Sequence, residues 1–131
     1  MKKKSLAPLI IGIIMFSSLI GIYYLKQYSP RMLLKAPAIS YEIYDSKTGE
    51  MTIIDNSMDL DAINKSLMEI KIKPGRRIWG AHPRYLLIGL DSSGVSVCSF
   101  EFDDIKFEKD GHLLIPIQGK YPYEILKPYI E

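Results

Sequence analysis

The chain has 131 residues, 24% charged and 47% hydrophobic, with a formal net charge of +2 and a single cysteine. One cysteine excludes an intrachain disulfide framework and a cysteine-built metal site. Six of the 17 Lys and Arg lie at or before Lys35 and all 15 Asp and Glu lie after it, so the first 35 residues carry +6 and the remainder −4; a domain of that sign is not expected to bind nucleic acid.

Residues 1–4 form a basic flank containing Lys2, Lys3 and Lys4. An apolar run follows from Leu6 to Leu25, with no Asp, Glu, Lys, Arg or His before Lys26. A bilayer core needs about 20 such residues, so residues 5–25 are predicted to be a transmembrane anchor. A cleaved signal peptide would have a shorter apolar core and small residues at its exit, whereas this run leaves through Ile22-Tyr23-Tyr24-Leu25. A core helix apolar on all sides has no place in so short a chain. Tyr23, Tyr24 and Tyr28 fall where aromatic rings meet lipid headgroups. Lys26, Arg31 and Lys35 nearly balance the first three lysines, but contiguity of the latter favours an N-terminus inside the cell membrane and a C-terminal domain outside it. Residues 26–38, between Pro30 and Pro37, read as a short juxtamembrane connector, and residues 39–131 as one small domain.

Ile39, Tyr41 and Ile43 alternate with Ser40, Glu42 and Tyr44, the period of a half-buried strand. The Asp45–Glu50 stretch is turn chemistry with Gly49, and Met51 to Ile54 is the return strand. Asp55-Asn56-Ser57 offers N-caps. Leu60, Ile63, Leu67 and Ile70 recur at helical spacing, predicting a helix over about 57–71, closed by Lys71 and Lys73 and stopped by Pro74-Gly75. Arg84 to Leu90 and Val95 to Phe102 read as a hairpin about Asp91-Ser92-Ser93-Gly94. Ile105 to Glu108 and His112 to Ile117 read as a shorter one, with Pro116 marking an edge strand. Pro122 to Lys127 reads as a last helical turn, ended by Pro128. The order β-β-α-β-β-β-β-(α) predicts an α+β domain, an antiparallel sheet covered on one face by one amphipathic helix.

The candidate binding patch is Lys73, Arg76, Arg77, Trp79, His82 and Arg84. No acid lies between Lys71 and Arg84, and the chain's one tryptophan stands in the middle of a loop punctuated by glycine and proline. Arginine with tryptophan suits an anionic group, the ring stacking beside it. The plainer reading is that the lysines solvate a helix end and Trp79 caps the core. Glu101, Asp103, Asp104, Glu108 and Asp110 read as a solvated acidic hairpin, since no calcium-loop pattern is present. Cys98 reads as a core residue. His82 and His112 are far apart, and no nucleophile elbow is present. No catalytic residue, metal ligand set or cofactor is therefore predicted, and the chain is not read as an enzyme.

Ile53-Ile54-Asp55 before the helix, INKSLMEIKI within and just past it, Trp79, YLLIGLDSSG and GKYPYEI together resemble small anchored or lipoprotein-like extracytoplasmic domains of bacterial envelopes. That resemblance implies an architecture and an address, and no activity. This chain departs from the lipoprotein members in having no cysteine after the apolar run, so a spanning helix would be its anchor. The expected function is a membrane-anchored envelope protein whose domain binds a protein or an anionic ligand near the bilayer. The alternatives are an inhibitor or immunity protein with a basic target, or a minor subunit of a membrane complex.

Overall fold

The computed structural model describes residues 5–28 and 31–131, and the side chains of all of these except 24–28. The basic flank at 1–4, the side chains of Tyr24, Lys26 and Tyr28, and Pro30 lie outside the described residues. Over the described residues the chain is α+β: three helices and one antiparallel sheet of eight strands, in the order β1-β4-β8-β7-β6-β5-β2-β3.

Helix α1 is Ala7–Tyr28, 22 residues, or about 33 Å at 1.5 Å per residue. Its described side chains, through Tyr23, are all exposed. Among the described residues, no helix is long and apolar enough to cross a membrane. Strand β1 (Arg31–Met32) follows directly and pairs with Ile72 and Lys71 of β4 (Lys71–Arg77). Leu33, Leu34 and Ala38, within the stretch read as a connector, are buried in the core.

Strands β2 (Ser40–Asp45) and β3 (Met51–Ile54) form the first hairpin. Helix α2 (Ser57–Met68) starts at Asn56, whose side-chain oxygen accepts from the backbone N–H of Met58. The helix joins β3 at one edge of the sheet to β4 near the other, so it must cross the face. Leu60, Ile63 and Leu67 form its buried stripe, as their spacing requires.

Beyond α2 the structure corrects the sequence reading. The helix ends at Met68, before the predicted 71, and Lys71 and Lys73 belong to β4. Exposed Lys71 and Lys73 flank buried Ile72, which is the two-residue period of a strand. Pro74-Gly75 is no helix stop: it lies inside β4, where the register shifts between Pro74 and Arg77. Gly75 is required there, because a Cβ would lie 2.9 Å from the carbonyl oxygen of Leu113.

Strands β5 (Tyr85–Leu90) and β6 (Ser96–Phe102) form the central hairpin, and β7 (Phe107–Lys109) and β8 (His112–Gln118) the shorter one. Because β7 reaches only Leu113, Pro116 has its partner, Ile72, on one side alone. Helix α3 (Pro122–Ile130) runs past Pro128, two residues inside its end, and does not stop at Lys127. It packs on α2, so two helices cover the face where one was expected. Phe100, Phe102, Phe107 and Leu126 are fully buried between the layers. Phe107 meets Tyr121 edge to face at 5.2 Å, and Tyr85 stacks on Phe102 at 5.3 Å. Cys98 is buried beside them, and burial pushes its thiol up to about 11.

Candidate functional site

Strand β4 and the loop that follows it carry all six residues of the predicted patch, but the structure divides them. Arg77 ends β4, and its guanidinium carbon lies 4.8 Å from the centre of the Trp79 ring. Trp79 is 81% exposed, so it does not cap the core. Arg76 borders a groove of about 410 Å³ floored by Ile78, Ile105, Leu113 and Ile115, with Lys106 on its margin. Lys73 projects from β4 into solvent. Among the described residues, no carboxylate lies within ion-pair distance of Arg76, Arg77 or Lys73.

Arg84 is withdrawn from this group. Its Nε donates to Asp45 Oδ1 at 2.9 Å and a terminal nitrogen to Oδ2 at 2.7 Å, a two-pronged clasp across the β2–β5 pair. The hydrogen bond from Arg84 holds the Asp45 carboxyl far below the usual carboxylate range. Ser46 reinforces the clasp, donating its N–H and its hydroxyl to the Arg84 carbonyl.

His82 is withdrawn too, in the opposite direction. Its Nδ1 lies 2.8 Å from Glu108 Oε1 and 3.4 Å from Glu101 Oε2. The hydrogen bond to Glu108, then the charge of Glu101, raises its pKa above the ordinary histidine value. Glu101 and Glu108 are directly opposed across β6 and β7, one residue from the paired core aromatics Phe102 and Phe107. Alternation therefore sends both carboxylates to the face away from the helices, where the 78–84 loop covers them. The loop is tied down at three places: Ile78 N–H donates to the Gly111 carbonyl, Lys106 Nζ donates to the Ala81 carbonyl, and His82 meets the two carboxylates.

Glu108 is the correction here. Read from the sequence as part of a solvated hairpin, it is 2% exposed. Its position was accessible from the pattern: if Phe102 and Phe107 pair inward, Glu101 and Glu108 must pair outward. No pattern signalled that His82, from a loop 19 residues before Glu101, would arrive on top of them.

The site thus has two parts: an exposed cationic and aromatic surface at Arg76, Arg77 and Trp79, and a histidine–dicarboxylate cluster under the same loop. The first can receive an anion at the arginines, with the Arg77 guanidinium stacked on the indole, and in the second two carboxylates favour the protonated form of His82. No family model, curated protein or solved structure matches the chain.

Proposed function

We propose that this chain is a single-pass membrane protein of a cell envelope whose domain binds an acidic segment of a protein partner through Arg76, Arg77 and Trp79. The observation that carries the binding surface is the 81% exposed indole with the Arg77 guanidinium over it. A large ring and two arginines with no carboxylate partner among the described residues stand at and just beyond the end of β4, the residue types that interfaces enrich. Apolar Ile105, 82% exposed, and the adjoining groove would take the uncharged part of the same segment.

The anchor rests on the sequence alone, a 20-residue, mostly apolar run from Leu6 to Leu25 with no Asp, Glu, Lys, Arg or His. With Lys2 to Lys4 inside, the domain stands on the extracytoplasmic side. Because β1 begins three residues after α1 ends, β4 is held close to the bilayer exit. A second groove there, of about 460 Å³, is bordered by Arg31 and Lys35 and also by Asp110.

The test places a photocrosslinking amino acid at position 79 of the full chain in its native membrane. A discrete adduct that disappears in the Arg76→Ala/Arg77→Ala variant is expected. An adduct pattern identical to that from exposed position 93, or unchanged by the double substitution, would contradict the reading.

A further inference from the structure

We infer that His82, Glu101 and Glu108 form a site for one divalent transition-metal ion, on the face of the sheet away from the helices. One donor atom from each side chain lies within 4.8 Å of the others. Around a zinc ion with bonds of about 2.0–2.2 Å, tetrahedral donors stand roughly 3.3–3.6 Å apart. The Nδ1–Glu101 distance of 3.4 Å lies in that range, and the Nδ1–Glu108 distance of 2.8 Å is a hydrogen-bond contact that must open by about half an ångström for a cation to replace the imidazole proton.

A second observation points to a ligand independently of that convergence. The Glu108 side chain is 3% exposed, and its Oε2 has no hydrogen-bond partner among the described residues. A buried carboxylate oxygen left without a partner is costly, and a metal that takes both oxygens of this carboxylate would satisfy it, Oε1 being the one already beside His82. Glu101 and Glu108 also face each other directly across two strands, an arrangement that is destabilising for like charges. A divalent ion between them would offset both charges. The Lys106 ammonium is held on the Ala81 carbonyl instead.

The donors are one imidazole nitrogen and carboxylate oxygens. That set suits zinc or its first-row neighbours, whereas calcium and magnesium favour all-oxygen sites. The His82 side chain is 70% exposed, so the ion has a route from solvent, and three protein ligands leave it a position for water. Metal would bolt the 78–84 loop to the sheet three residues from Trp79. The inference does not rest on the proposed partner surface, and each can fail without the other.

The experiment is a Zn2+ titration of the full chain in detergent, read by competition with a chromophoric chelator. One Zn2+ per chain is expected, with affinity falling at least tenfold in His82→Ala and in Glu101→Gln and unchanged in His112→Ala. His82→Ala leaves buried Glu108 without its hydrogen-bond partner, so it is read beside Glu101→Gln, whose carboxylate is partly exposed, each with its folded circular-dichroism spectrum confirmed, and Glu108→Gln is not relied on. Zn2+ uptake by the native chain no greater than by His82→Ala, or lost equally in His112→Ala, would overturn the inference.

Discussion

Asn64 is the residue on which the meeting of helix and sheet depends. It sits on the buried side of α2 between Leu60 and Leu67 and is 8% exposed. Its Oδ1 accepts from the Ala38 N–H at 3.0 Å and from the Tyr41 hydroxyl, and its Nδ2 donates to the Ala38 carbonyl at 2.9 Å. One amide thus satisfies three groups that entered the core with the chain leading into β2. The Tyr41 ring in turn fills the space above Gly89, where a Cβ would lie 2.8 Å from it. Asn64→Ala strands these groups, and the expected loss is about 3 kcal/mol, read as a lowered urea midpoint of the domain's unfolding; a loss below about 1 kcal/mol would contradict the arrangement. The helical stripe Leu60, Ile63, Leu67 was legible in the sequence, but a polar residue beside it gave no sign of being a core ligand for backbone. Glu108 was illegible for the same reason: an acid in a charged hairpin reads as solvated until the loop that covers it is in place.

At the scale of elements, hairpins with turn chemistry were legible and β4 was not. Asp45–Glu50 and Asp91–Gly94 announce reversals, and the strands on either side follow within a residue or two. By contrast, Lys71-Ile72-Lys73-Pro74-Gly75 carries helix-ending signals in a segment whose neighbours are far along the chain. Its strand character comes from pairing with β8 and β1, which no local pattern encodes. The connection from β5 to β2 is reinforced by the Arg84–Asp45 clasp. Because the folded carboxyl of Asp45 has a depressed pKa, the clasp contributes its stability above the unfolded value of about 3.9 and loses it as pH falls towards the folded value. Wild type is therefore expected to exceed Asp45→Asn in stability by a constant margin above about pH 5, a margin that shrinks in more acid solution. A margin independent of pH from 7 to 3 would show that the clasp does not depend on the ionised carboxylate.

For the whole molecule, charge and hydropathy divide the chain at the same place. The apolar run and most of the early basic residues precede the sheet, and every acid follows Lys35. The domain is joined to α1 almost without a spacer, because β1 and the buried Leu33 and Leu34 start within six residues of Tyr28. On the proposed anchoring, a sheet this near the helix keeps its β4 surface close to the membrane, which suits recognition of a partner in or on it. The cationic surface was legible as a composition anomaly, a run of arginines around the only tryptophan. Which of those cations are committed to carboxylates, as Arg84 and His82 are, depends on strands 39 and 26 residues away.

The proposed function turns on residues 5–25 crossing a membrane and presenting the domain on its far side. A reporter active only outside the cytoplasm, fused after Glu131, tests both parts at once. Activity of the full chain, abolished when residues 5–25 are deleted, is the predicted result. An inactive reporter outside, with a cytoplasmic reporter active at the same junction, would contradict it.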